Sequence, residues 1–150
     1  MSSKFPPLNL SLSDLKFQAS PQGTQVWDAF RKKWLLLTPE EWVRQFLLHH
    51  LVNELGFPKS LIVVEYGVSI AGNPLRLDAL VYKNDKPSLI IECKAPQVKL
   101  TQEVLDQASR YNYKINCDNL LISNGLEHFF CSKKNEEWQI NTNLPAYNSL

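Results

Sequence analysis

The sequence predicts a single α/β domain in which a central mixed β-sheet is flanked by helices, in the order α-α-β-β-β-α-β-β-β. Three observations predict it. The hydrophobic period is 3.6 in the first half and changes to 2 at about Ser60. Three β-rich runs, joined by the short turns Ala71-Gly72-Asn73-Pro74 and Lys83-Asn84-Asp85-Lys86-Pro87, form an antiparallel meander. A helical segment then separates the third strand from the fourth, so those two can lie parallel through a right-handed crossover.

Residues 1 to 22 are rich in Ser, Pro and Asn and carry Leu8, Leu10 and Leu12, which predicts a weakly ordered arm before a domain of residues 23–150. Between Thr24 and Leu36, the residues Val26, Trp27, Phe30 and Trp34 recur at helical spacing and predict a first helix. Thr38-Pro39-Glu40-Glu41 starts the second: Thr caps, Pro suits the first turn, and two acids meet the positive end of the dipole. Trp42, Val43, Phe46, Leu47, His50, Leu51 and Leu55 trace its apolar stripe up to Gly56. Strands follow at 60–70, 75–82 and 88–94. Ala95-Pro96 ends the third, and Leu100, Val104, Ala108, Tyr111 and Ile115 mark an amphipathic helix behind Thr101. A short strand at 119–123 and a hairpin around Lys133-Lys134-Asn135-Glu136 close the chain.

Composition narrows the function classes. At 150 residues, 44% hydrophobic and 21% charged, the chain can bury one core and is too apolar for disorder. Sixteen basic against fifteen acidic side chains give +1, so no global basic field marks a nucleic-acid or membrane binder. Three scattered cysteines without a CxxC pair predict no disulfide framework, no cysteine zinc site and a reducing, cytoplasmic setting. The opening Met-Ser-Ser-Lys-Phe-Pro-Pro is not a signal peptide, and no apolar run is long enough for a membrane helix.

The chemistry concentrates on two strands. Leu89-Ile90-Ile91-Glu92-Cys93-Lys94 puts Glu92 and Lys94 on one face at a strand end, where an unpartnered charge is costly. Asp78 interrupts the apolar run of the preceding strand, and aspartate is depleted in strands. Pairing with the nearby Arg76 would explain it structurally. The hairpin also allows Asp78 and Glu92 to face the same way on adjacent strands. Two carboxylates there repel unless a cation binds between them, and such oxygen ligands suit Mg²⁺ or Mn²⁺ with a lysine alongside.

Asp78, thirteen intervening residues and Glu92-Cys93-Lys94, on a strand pair between helices, resemble the PD-(D/E)XK nuclease superfamily, with Leu77 where its leading Pro stands. Gln107-Ala108-Ser109-Arg110-Tyr111 fits the Q-x-x-x-Y motif on the helix after that strand, one helical turn apart. Leu37 to Gln45, Ile91 to Pro96 and Ser123-Asn124-Gly125 are similar to the N-terminal nuclease domain of type I restriction enzyme R subunits. The resemblance implies a restriction-endonuclease-like core and Mg²⁺- or Mn²⁺-dependent hydrolysis of DNA phosphodiester bonds. It implies Asp78 and Glu92 as metal ligands, Lys94 as the catalytic lysine, and Gln107 and Tyr111 as positioning groups. A first-helix acid completes the metal site: Glu41 is the first choice, Glu40 its rival and Glu54 the outsider. In R subunits the domain is joined to a motor and bound to methyltransferase and specificity subunits. No motor motif is visible here, which predicts a free-standing relative or a chain served by a separate motor or specificity subunit.

Two other classes compete: a non-catalytic nucleic-acid-binding or assembly module that keeps the fold, and a small α/β protein whose ion pairs are structural. His49, His50 and His128 lack zinc spacing. Ser123 is read as part of a strand-to-turn connection, with no histidine placed to activate it. Trp27, Trp34 and Trp42 are read as core.

Overall fold

Thr38 caps the longest helix, and the two layers of the molecule meet on that helix. The computed structural model describes residues 5–150. The helix, α1 (Pro39–Glu54), starts with the Thr38 side chain accepting from the Glu41 N–H at 3.0 Å. It ends where Gly56 takes a left-handed φ of 76° and the Phe57 N–H returns to the Leu51 carbonyl at 3.1 Å.

The segment 24–36 is not helical. It forms β2 (Gly23–Asp28) and β3 (Lys33–Leu36), which join β1 (Phe17–Ser20) in a three-stranded antiparallel sheet of order β1-β2-β3. The order therefore becomes β-β-β-α-β-β-β-α-α-β-β-β. The spacing of Trp27 and Trp34 fits two helical turns, but it also fits two facing positions across a four-residue turn. Here they are direct cross-strand partners, with rings 5.5 Å apart edge to face. Thr, Val and Trp favour the pleated state. The turn is held by Asp28, whose Oδ1 accepts from the Phe30 and Arg31 N–H groups at 2.7 and 3.0 Å, and by Lys32 at φ 55°.

The expected arm needs a similar correction. Residues 1–4 of it lie outside the described residues. Phe5 stacks on Trp42 with ring centroids 5.2 Å apart, and Leu8 and Leu10 pack against the core. The backbone is fixed as well: Asn9 N–H donates to the Gly125 carbonyl at 2.7 Å, and Ser11 N–H to His50 Nδ1 at 3.0 Å. The boundary drawn at residue 22 falls inside the β1–β2 hairpin. The apolar side chains, with backbone bonds to match, outweigh the Ser/Pro composition.

The main sheet has six strands in the order β4-β5-β6-β7-β8-β9. The meander is β4 (Ile62–Ile70), β5 (Asn73–Lys83) and β6 (Lys86–Cys93), and its second turn places Asn84 and Asp85 at positive φ, as a tight hairpin demands. The crossover helix is split into α2 (Gln102–Ser109), capped by Thr101, and a single turn α3 (Asn112–Ile115). β7 (Asn119–Ser123) pairs parallel with β6, and β8 (His128–Lys134) and β9 (Glu137–Asn141) continue antiparallel. α1 covers one face through Val43, Leu47, Leu48 and Leu51 on Ala79, Val81, Leu89 and Ile91. Leu105 and Ala108 of α2 cover the other, on Leu80, Ile90, Leu120 and Ile122. Among the described residues, no helix is long and apolar enough to cross a membrane.

The Ser123–His128 pair corrects another expectation. The two residues are cross-strand partners, and Ser123 Oγ lies 2.7 Å from His128 Nδ1. Both are buried, Ser123 Oγ also accepts from the Gly125 N–H, and His128 Nε2 meets the Asn9 carbonyl. The pair ties the arm to the turn rather than forming a nucleophile.

Gly125 adopts φ 85°, and an added Cβ would stand 2.7 Å from Leu8 Cδ2. Gly125→Ala should therefore lower stability by about 1–2 kcal/mol from the left-handed backbone, plus the clash with the arm. Urea unfolding of Gly125→Ala and of the Gly125→Ala/Leu8→Ala pair separates the two: the second change should cost less in that background than in wild type.

Candidate functional site

The β5–β6 ladder is paired at Ala79↔Ile91, and the same register places Asp78 opposite Glu92. There the side chains replace the ladder. Cys93 N–H donates to Asp78 Oδ2 at 2.7 Å, and Asp78 N–H donates to Glu92 Oε1 at 3.2 Å. Each carboxylate satisfies a backbone donor on the other strand, while Lys94 N–H passes on to the Ser123 carbonyl at 2.8 Å. Two acids thus lie side by side at the end of an apolar strand pair, each 8% exposed.

Burial, and then the charge of Asp78, push the Glu92 carboxyl up to about 8. The nearby Lys94 ammonium works in the opposite direction. Glu92 and Lys94 line a cleft of about 70 Å³ together with Val104, Gln107, Ala108, Arg110 and Tyr111, enough for a few waters. The structure therefore brings Asp78, Glu92, Lys94, Gln107 and Tyr111 into one neighbourhood. Burial and the charges of Glu92 and Asp78 raise the Tyr111 hydroxyl, whose oxygen lies 3.4 Å from the Arg76 carbonyl.

The first-helix acids divide. Glu41 is buried and already engaged: it accepts from Arg31 Nη2 at 3.0 and 3.1 Å, from Arg44 Nη1 at 2.6 Å and from Gln45 Nε2 at 3.0 Å. These partners would have to give way before Glu41 could serve as a third ligand. Glu40 is the first-helix acid whose charge acts on Glu92, and its own carboxyl is raised by burial and by Asp78. Glu54 lies at the opposite end of α1, roughly 20 Å along the axis from Glu40.

Sequence reasoning missed the arginines. Arg44 is 7% exposed and forms an ion pair with Asp78, besides its bonds to Glu41 and, at 3.3 Å, to Glu40. Burial opposes its charge, but Asp78 and Glu41 outweigh burial and raise its pKa. Arg31, from the β2–β3 turn, pairs with Asp28 and reaches Glu65 at 2.8 Å as well as Glu41. Glu65 stands in left-handed backbone (φ 56°) between the Val64↔Ala79 and Tyr66↔Leu77 pairs, a conformation strained for glutamate. Arg76, the expected partner of Asp78, pairs with Glu65 instead, at 3.3 Å. The available signal was Arg44 at i+4 from Glu40, on the helix face that also carries Glu41.

Among the described residues, no three His, Cys, Asp or Glu side chains gather closely enough to cage a metal ion. The donor chemistry nevertheless fits Mg²⁺ or Mn²⁺. These cations take oxygen ligands, and Mg²⁺ keeps several waters while binding through one or two carboxylates. Glu92, held protonated near neutral pH without a cation, is a group that a cation would ionise.

A six-stranded mixed sheet covered by helices on both faces is a restriction-endonuclease-like architecture. The chain belongs to the family described as type I restriction enzyme R protein N terminus, whose model matches residues 39–145. A fragment structure of a protein described as an HsdR subunit of a type I restriction enzyme, from Vibrio vulnificus YJ016, is similar over 73% of this chain at 20% identity, with a TM-score of 0.56. The match covers 24% of that chain, so the present sequence spans about a quarter of its length. A protein from Anabaena variabilis ATCC 29413 described as a DUF820 nuclease is also similar, with 9% identity and a TM-score of 0.46 over 84% of this chain and 80% of that one. No curated protein matches the sequence.

The raised Glu92 carboxyl makes a pH prediction for the metal-free protein. Its folded value, about 8, lies above its ordinary 4.5, so the folded state holds a proton that the unfolded chain has released between those limits. The stabilising contribution is complete below the unfolded value and is lost as pH rises through the folded one. In chelator, wild type should lose stability relative to Glu92→Gln between about pH 5 and pH 9, as urea midpoints would show. Parallel pH profiles for the two proteins would refute the assignment.

Proposed function

We propose that the domain is a divalent-cation-dependent endonuclease that hydrolyses DNA phosphodiester bonds. The observation that carries the reading is the buried pair Asp78 and Glu92, side by side on adjacent strands, with Glu92 and Lys94 lining one cleft. Asp78 and Glu92 would hold Mg²⁺ or Mn²⁺, with Glu40 in place of Glu41 as the first-helix acid. When bound, the cation supplies Lewis acidity towards the phosphate and lowers the pKa of water.

The chain's own groups do the rest. Lys94 lies beside Glu92 in the cleft, where it would offset the negative charge that develops on the phosphate oxygens. Gln107 lines the same cleft, where its amide would orient a phosphate or Lys94, and Tyr111 forms part of its wall. Arg110, which lines the cleft, offers a cation for the flanking phosphates. The near-zero net charge supports delivery of DNA by a partner, such as a separate motor or specificity subunit, in a cytoplasmic setting.

One observation favours the non-catalytic module instead: Arg44 and the Cys93 N–H already satisfy both oxygens of Asp78. Cleavage decides between the two readings. Plasmid and single-stranded DNA should be cut in Mg²⁺ or Mn²⁺. Lys94→Ala should retain cation binding but cut at least about a hundredfold more slowly, as removal of a preorganised electrostatic group implies. Glu92→Ala should lose both. Equal cleavage by wild type and Lys94→Ala would sink the nuclease reading.

A further inference from the structure

Arg44 stands where a bound cation would be needed. Its Nη2 is paired with Asp78 Oδ1, while the other Asp78 oxygen accepts from Cys93 N–H. A cation approaching Asp78 therefore meets a carboxylate whose two oxygens are already in use. The guanidinium also has somewhere else to go. Glu41 holds its Nη1 at 2.6 Å, so releasing Asp78 leaves Arg44 paired with a buried carboxylate that is not among the proposed ligands. Its Nε, in contrast, is buried without a hydrogen-bond partner among the described residues, so the present arrangement is not the one that satisfies every donor.

We propose that Arg44 is an internal counter-ion of the site, one that neutralises Asp78 in the metal-free protein and competes directly with a divalent cation for its Oδ1. The proposal rests on the cation-binding reading above and deepens it: Arg44 sets the cation affinity and lets two carboxylates be buried before any cation arrives. A buried carboxylate without a counter-charge is strongly destabilising. Arg31 provides the comparison. It carries the same charge into the same network through Glu41, comes from outside the residues matched by the family, and touches neither Asp78 nor Glu92 in any ion pair.

The test is Mn²⁺ titration by calorimetry and thermal shift on the full chain, comparing wild type with Arg44→Met, Arg44→Lys, Arg31→Met and Glu92→Ala. Arg44→Met should melt lower without metal yet reach half-saturation at roughly tenfold lower Mn²⁺, the scale expected when one full charge leaves the neighbourhood of a ligand oxygen. Arg44→Lys keeps the charge but cannot span two carboxylates, so it should lie between the two. It also serves as the readout if Arg44→Met does not fold. Arg31→Met should change half-saturation by less than about twofold, since its carboxylate partners are not the ligands. Arg44 variants that bind Mn²⁺ like wild type or more weakly would overturn the proposal, as would an Arg31→Met gain equal to that of Arg44→Met, which would indicate general electrostatics. If wild type binds no better than Glu92→Ala, the cation-binding reading itself fails and takes the proposal with it. If wild type binds better than Glu92→Ala while the Arg44 variants match wild type, the role of Arg44 alone is lost.

Discussion

Burying two carboxylates beside each other requires compensation, and much of the structure around Asp78 and Glu92 is that compensation. Each acid accepts a backbone N–H that the parting of β5 from β6 would have left unpaired. Arg44 brings a full positive charge from α1, and Lys94 acts on Glu92 from the cleft. What remains uncompensated is expressed as a raised pKa on Glu92, where ionisation would place a second negative charge.

The same requirement links the two layers. Arg44 could not be held in position by Asp78 alone. It is fixed from behind by Glu41, which is fixed by Arg31, which is fixed by Asp28. The chain of alternating charges runs from the turn of the small sheet, through the first turn of α1, to the main sheet. Such a network is worth little per pair at a surface, but buried its members can be worth more together than pairwise deletions suggest. The small sheet thereby supports the site without touching it.

The main sheet was legible because its signals are local. The meander turns, the Thr38 and Thr101 caps and the strand alternation of Glu92 and Lys94 all act within a few residues. The spacing that brings Asp78 and Glu92 together was legible too, since a hairpin fixes which residues face each other. The β2–β3 hairpin was not, because Trp27 and Trp34 satisfy helical and hairpin geometry alike, and only the Asp28 turn resolves it. The docked arm was hidden by its composition: Phe5 and Leu8 are anchored by residues far away in the chain. Arg44 was hidden for the opposite reason. A basic residue four positions after an acid on a helix reads as an ordinary surface pair, and nothing local reveals that Asp78 lies across from it.

Asp78 and Glu92 belong to one hairpin, whereas Arg44 lies 34 residues before Asp78 and arrives on a different element. Hairpins close within microseconds, while contacts between distant segments form more slowly. The two acids can therefore meet in the folding chain before Arg44 docks, and in that interval protons and the local bases Arg76 and Lys94 are what can offset their repulsion. Acid should thus speed assembly of the sheet as well as stabilise it, which makes the folding rate of this domain a readout of how its two acids are compensated.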